Sequence, residues 1–206
     1  MKKSIITTTI NEPTKATFKF CKIAEERDWT FIIIGDTKTP HNLYNELEAR
    51  YGKHVVYVHP DEQEKRWPEL SSNIGWRTIQ RRNIGFLYAY EIGSDIIATI
   101  DDDNIPYDNW GTDLLVGRVV DVDIYENNIV NAFDPISVTN QQHIWHRGYP
   151  IEHVSVKNDI SMVGREKREV LIQADFWDGD PDIDAICRLT HKPLVKFNKF
   201  DTFATN

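Results

Sequence analysis

Ile96-Ile97-Ala98-Thr99-Ile100-Asp101-Asp102-Asp103-Asn104 runs from an apolar segment, short enough to be a buried strand, straight into three consecutive carboxylates. Strand side chains alternate between faces, so a strand continued through the triplet sends Asp101 and Asp103 to one side and Asp102 to the other. Two carboxylates near one point suit a hard cation such as Mg²⁺ or Mn²⁺. A site with so few protein oxygens leaves its other positions to water and phosphate. The pattern points to a diphosphate ligand held through a metal at Asp101 and Asp103. A solvated acidic turn is the plainer alternative, and the apolar run ahead of the triplet argues against it.

Working back from this stretch, the chain alternates strand and helix. Ser4 to Ile10 is rich in Ile and Thr and reads as a strand, closed by Asn11-Glu12-Pro13. Thr14 to Arg27 carries Phe18, Cys21 and Ala24 at helical spacing. Thr30 to Ile34 is a continuous apolar run ended by Gly35-Asp36, the mark of a parallel strand buried on both faces. Asn42 to Tyr51 reads as a helix and His54 to Val58 as a third strand, followed by a polar connection from Pro60 to Ser72. From Asn73 to Ile92 one long helix is predicted, with Ile79, Phe86, Leu87 and Tyr90 as its apolar stripe and Gly93 at its end. This alternation implies an open parallel sheet with crossover helices, whose ligands sit beyond the carboxyl ends of the strands.

That rule gathers residues distant in sequence onto one rim. Thr8, Thr9 and Asn11 follow the first strand, Asp36 the second and the aspartates the fourth. The predicted helix adds Arg77 and Arg81 as i,i+4 neighbours and Arg82 beside them, guanidiniums suited to phosphate oxygens, although a solvated helix face explains them equally well. Asn83 interrupts the apolar stripe and calls for a hydrogen-bond partner.

Composition narrows the function classes. A chain of 206 residues with 40% hydrophobic and 27% charged residues is an ordinary globular protein, read here as one domain over 1–206. Its first half (1–104) would bind nucleotide and metal and its second (105–206) the sugar or acceptor. A net charge of −8 argues against a nucleic-acid partner, because backbone phosphates are bound by excess Lys and Arg. Two cysteines, Cys21 and Cys187, form no disulfide framework or zinc spacing, and no stretch has the length of a membrane span, so the expected location is cytoplasmic.

Beyond Asp103 a loop and short helix over 107–116, strands at 119–124, 129–133, 170–172 and 194–197, and a turn at 125–128 are expected. Two dense segments stand out, His143 to Pro150 and Phe176 to Asp184. The alternating aspartates 178, 180, 182 and 184 fail the EF-hand pattern, which needs glycine and glutamate where Ile183 and Leu189 stand. Carboxylates offered to sugar hydroxyls, with Trp145 and Trp177 as ring platforms, fit this pair of segments better; a polar turn made of Asx hydrogen bonds is the plainer reading.

Arg82-Asn83-Ile84-Gly85, Gly93-Ser94-Asp95 and Ile100-Asp101-Asp102-Asp103 together resemble the helix, strand and metal-binding DXD arrangement of GT-A nucleotide-sugar glycosyltransferases. More narrowly, Ile32 to Asp36, Ile100 to Asp103, Arg147-Gly148-Tyr149-Pro150 and Asp178 to Ala185 resemble stretches of the reversibly glycosylated polypeptides, which act as UDP-arabinopyranose mutases, and of the STELLO glycosyltransferase-like proteins. The resemblance implies a Rossmann-like GT-A fold and a UDP-sugar donor. It implies Mn²⁺ or Mg²⁺ on Asp101 and Asp103, with Asp102 near the ribose. Asp36 near the base could accept from the uracil imide N–H. Arg147 matches the arginine that becomes glycosylated in the mutases, and Asp180 and Asp182 are the candidate bases toward an unknown acceptor. Asn104-Ile105-Pro106 departs from the mutases. A glycosyltransferase is therefore the leading expectation, with a mutase or self-glycosylating protein and a non-catalytic binding or scaffold domain as alternatives.

Overall fold

A computed structural model of the chain describes residues 1–191, 194–198 and 203–205, the last three as backbone. The chain divides into two compact units, residues 1–113 and 114–206, where the sequence reading set one domain with halves meeting at 104 and 105.

The first unit runs β1 (Lys3–Thr9), α1 (Lys15–Glu26), β2 (Thr30–Gly35), α2 (His41–Tyr51), β3 (Val55–Val58), α3 (Pro60–Arg66), α4 (Pro68–Ile74), α5 (Arg82–Glu91) and β4 (Ile96–Thr99). Its four strands form one wholly parallel sheet in the order β3-β2-β1-β4. The chain winds outward from β1 to β3 and then returns past β1 to add β4, so the strand order reverses between β1 and β4. Helices cover both faces. On one, Ile6, Ile32, Ile34 and Val58 meet Ile84 and Ala89 of α5 and Trp67. On the other, Phe20 of α1 lies 5.9 Å from Phe31, and Tyr44 of α2 stacks on Tyr57 at 5.3 Å. This two-sided cover is why Phe31 to Ile34 reads as an unbroken apolar run and is wholly buried. The architecture is the mixed α/β, Rossmann-like arrangement expected of a GT-A fold.

Two stretches differ from expectation. The polar connection after β3 is helical, as α3 and α4. Pro60 and Pro68 occupy first-turn positions, Asp61 and Glu62 sit at the amino end of α3 and Lys65 and Arg66 at its carboxyl end. These are end signals that the low hydrophobicity of the segment obscured. The single helix predicted from Asn73 to Ile92 is in fact interrupted: α4 ends at Gly75, Arg77 takes a positive φ of 60°, and a 3-10 turn at Ile79–Arg81 precedes α5. Arg77 and Arg81 are consequently not helical neighbours. Of the predicted stripe only Leu87 packs against the core, while Ile79, Phe86 and Tyr90 are 63%, 40% and 77% exposed. The buried side of α5 is Ile84, Gly85 and Ala89.

Gly85 sets how closely α5 lies on the sheet, since a Cβ there would come within 3.2 Å of both Ile6 Cβ and Ile34 Cγ1. Gly85→Val should therefore destabilise the protein by about 1–3 kcal/mol through overpacking, read as a lowered urea midpoint.

The second unit contains β5 (Val119–Asn127), β6 (Ile160–Glu169), α6 (Ala185–Thr190) and β7 (Phe203–Thr205). β5 pairs antiparallel with β6 and parallel with β7. The expected turn at 125–128 falls largely inside β5, residues 129–133 and 170–172 are not strands, and 194–197 contributes only a bridge from Val195 to Gly179. The short helix expected over 107–116 is a run of turns. β6 escaped the sequence reading because its apolar residues Ile160, Met162 and Val163 do not keep to alternation with polar ones and its second half is charged on both faces, with Arg165 lying 3.6 Å from Asp123 of β5. The core of this unit joins the two dense segments: Ile144, Trp145 and Tyr149 pack with Ile183 and Cys187, together with Ile136 and Val195.

Candidate functional site

The reversal of strand order places the ends of β1 and β4 side by side, and the aspartate triplet begins just past β4. Because β4 stops at Thr99, the triplet lies in a turn rather than on a strand. Asp102 is the member drawn inward. Its Oδ2 accepts from the Thr9 hydroxyl and, at 3.0 Å, from Asn11 Nδ2, while its carbonyl accepts from the Thr14 hydroxyl. Thr14 also caps α1 through a reciprocal box with Thr17. The ends of β1, α1 and β4 are thus tied together through Asp102. Thr14 was not among the expected site residues, although its place after Asn11-Glu12-Pro13 marks it as a cap.

Asp101 and Asp103 are exposed. Asp101 pairs through Oδ1 with Arg82 Nη2, at the start of α5. Arg82 is mostly buried, and its Nε is shielded from solvent with no hydrogen-bond partner among the described residues. A buried guanidinium N–H without a partner is costly, and an anion beside it removes the cost. Asn83 is exposed on the first turn of α5 and does not interrupt the buried stripe.

Asp36 follows β2 and is only 2% exposed. Its Oδ1 accepts from the Thr37 N–H at 2.6 Å and the Thr37 hydroxyl at 3.0 Å, and its Oδ2 from the Arg77 N–H at 2.8 Å. Three of a carboxylate's roughly four acceptor positions are therefore filled from within the chain. Asp36 pins the loop between α4 and the following 3-10 turn onto the rim. Thr8 donates its hydroxyl to the Ile34 carbonyl at 3.3 Å, and the Arg77 side chain is exposed. Arg81 is wholly buried instead of facing a ligand. It donates to Gln63 Oε1, Ser71 Oγ and the Ser71 and Gly75 carbonyls, and burial lowers its pKa against the attraction of Asp36 and Glu64.

A divalent cation was expected on Asp101 and Asp103. Among the described residues no group of three or more His, Cys, Asp or Glu side chains is gathered into a metal cage. The donor set offered here is a partial one of exposed carboxylate oxygens, which suits a hard cation that completes its shell with phosphate and water. Burial pushes the Cys21 thiol up to about 12 and raises Cys187 as well, so neither is a nucleophile at neutral pH.

Arg147, Asp180 and Asp182 lie in the second unit. The two dense segments meet there: the Arg147 N–H donates to the Asp182 carbonyl at 3.1 Å, the Asp184 N–H to the Trp145 carbonyl at 3.1 Å, and Arg147 Nη2 lies 2.5 Å from Asp182 Oδ2. Asp180 pairs with Arg188, Asp178 Oδ1 accepts from the Phe197 N–H at 2.8 Å, and Asp184 caps α6. Trp145 is 8% exposed and belongs to the core, which corrects its expected role as a sugar platform; Trp177 remains partly exposed. A cavity of about 320 Å³ is lined by Asp134, His146, Arg147, Gly148, Tyr149 and Pro150, among others. Buried Asp134 holds this loop by accepting from the Ile136 and His146 N–H groups, and burial raises its pKa while lowering that of Lys157.

Among the described residues no helix is long and apolar enough to cross a membrane. No family model matches the chain. It is similar to two proteins of Arabidopsis thaliana, the probable glycosyltransferases STELLO1 and STELLO2. Identity to STELLO1 is 23% over 212 residues, covering 94% of this chain and 25% of that protein. Identity to STELLO2 is 24% over 219 residues, with 97% and 26% covered. The chain thus spans about a quarter of the length of these curated relatives. A parallel α/β sheet of GT-A type and a likeness that runs along nearly the whole chain make this protein a distant relative of probable glycosyltransferases.

Proposed function

We propose that this protein is a metal-dependent glycosyltransferase that uses a nucleotide-sugar donor, a UDP-sugar by the resemblance of its motifs. The first unit alone carries this reading. Its single strongest support is the grouping of exposed Asp101, its guanidinium partner Arg82 and exposed Asp103 beside the point where strand order reverses, the place where open α/β sheets bind phosphates. Asp101 and Asp103 would hold Mn²⁺ or Mg²⁺ on the donor diphosphate. When bound, such an ion supplies Lewis-acid stabilisation of the departing diphosphate.

Arg82 would meet a diphosphate oxygen through the terminal nitrogens of its guanidinium, on the side where it already meets Asp101. The negative charge that builds on the diphosphate as the glycosidic bond breaks would strengthen that contact, and a contact stronger at the transition state lowers the barrier. Asp102, Thr9, Asn11 and Thr14 would keep the turn in place so that Asp101 and Asp103 need no reorganisation.

Incubation with a panel of radiolabelled UDP-sugars and candidate acceptors, with Mn²⁺ or with EDTA, tests the reading. Label should move to an acceptor only with metal present. Ring-isomerised nucleotide sugar or label on the protein itself would indicate a mutase or self-glycosylating activity instead. Binding of UDP-sugar with no turnover against any acceptor or water would indicate a binding domain.

A further inference from the structure

The loop pinned by Asp36 carries a tryptophan, Trp76, that lies against a wholly buried arginine. One face of its ring is covered by the Arg81 guanidinium, whose central carbon lies 3.6 Å from the ring centre. That guanidinium is itself fixed on every side, by Gln63 Oε1 at 3.1 Å and by Ser71 and Gly75 at 3.1 to 3.3 Å. The ring is nonetheless only half-buried. A wholly buried arginine spent on holding one face of a tryptophan makes that ring a rigid shelf, and the covered face is closed to solvent by Arg81.

Its position matters as much. The next residue, Arg77, gives its N–H to Asp36 at the end of β2, so Trp76 stands at the β2 side of the rim, whereas Asp101 and Asp103 stand at the end of β4. With β1 between them, and strands about 4.8 Å apart, these two ends are separated by about 10 Å. That is the scale of a nucleoside between its base and its first phosphate. Asp36 has three of its acceptor positions filled and is out of solvent's reach, so it is poorly placed to read the edge of a base. Trp76, half-buried beside it with one face fixed by Arg81, is the nearby group suited to meet the base's face.

We propose that Trp76 is the platform on which the base of the bound nucleotide stacks, an assignment that rests on the nucleotide-binding reading above. Arg81 acts through it as a positioning residue, holding the ring in one orientation so that little side-chain entropy is lost on binding. Stacking uses the π-face that every base has, so recognition through Trp76 supplies affinity with little discrimination between pyrimidines.

The test is calorimetry with UDP and with inorganic diphosphate, each with Mg²⁺, on the wild-type chain, Trp76→Phe and Trp76→Leu. Trp76→Leu should weaken UDP about 5- to 150-fold, the range for loss of one base–aromatic stack, and Trp76→Phe much less. Diphosphate affinity should be the same in all three. Equal UDP affinity in Trp76→Leu and wild type overturns the assignment, as does a parallel loss of UDP and diphosphate, which would show a general effect on the rim. Wild-type protein that binds diphosphate and UDP equally well also overturns it while sparing the phosphate site. Wild-type protein that binds neither overturns the nucleotide reading itself. Should Trp76→Leu fail to fold by circular dichroism, competition between UMP and ribose 5-phosphate on the wild type, equal in phosphate and unequal in base, decides. A base contribution below about threefold contradicts the stack and a larger one supports it.

Discussion

Asp101→Asn and Asp103→Asn should each lower sugar transfer by about 100-fold or more while leaving stability within about 0.5 kcal/mol of wild type. The first figure follows from the several kcal/mol that a bound metal contributes at a developing phosphate charge, each 1.4 kcal/mol being tenfold in rate. The second follows from exposure and from the choice of asparagine: neither carboxylate fills core volume, and the amide oxygen of Asp101→Asn can still accept from Arg82 Nη2. Initial-rate kinetics with thermal melts on the same samples check both halves. A variant that loses activity and stability together would place these residues in the scaffold. Asp102→Ala should behave differently, because it severs the contacts with Thr9 and Asn11 and loosens the turn itself.

Arg81→Ala should be the most destabilising single change in the first unit, by about 4 kcal/mol. It removes the largest fully buried side chain and leaves Gln63 Oε1 and Ser71 Oγ without the donors that satisfy them. Each stranded buried polar group costs about 1–3 kcal/mol, and the cavity adds to it. Urea unfolding followed by circular dichroism reads the loss. Arg81→Lys should recover only part of it, because an ammonium cannot reproduce the planar fork that reaches Gln63 and Ser71 while lying flat on Trp76. A loss under 1 kcal/mol for Arg81→Ala would mean that water replaces the guanidinium and that the shelf under Trp76 is not rigid.

The parallel sheet was legible in the sequence because strands alternate with helices and β2 and β4 are apolar runs ended by Gly-Asp and by Asp-Asp-Asp, and the carboxyl-end rule then named Asp36 and the aspartate triplet. Sequence reasoning failed wherever the decisive fact was tertiary. Arg81 carries the same charge as Arg77 and Arg82, and nothing local says that it alone is enclosed by Gln63, Ser71 and Trp76. The apolar stripe Ile79, Phe86, Leu87 and Tyr90 reads as a buried helix face, yet apart from Leu87 it is exposed, and the buried side is Ile84 with Gly85 and Ala89, two residues whose smallness allows close approach and contributes almost nothing to a hydrophobic pattern. In the second unit the aspartates 178 to 184 looked like a run free for ligands. Asp178, Asp180 and Asp182 are met by the Phe197 N–H, Arg188 and Arg147, and Asp184 caps α6, so each has a local structural task.

The measurement closest to the central claim is the calorimetric affinity of UDP for the whole chain with Mn²⁺ and with EDTA. Exposed carboxylates beside a diphosphate repel it unless a cation lies between them, so affinity should fall by at least about tenfold in EDTA, and Asp101→Asn with Mn²⁺ should bind no more tightly than wild type in EDTA. Equal affinity in Mn²⁺ and EDTA, with Asp101→Asn indistinguishable from wild type, would contradict a metal-dependent nucleotide site at the end of β4.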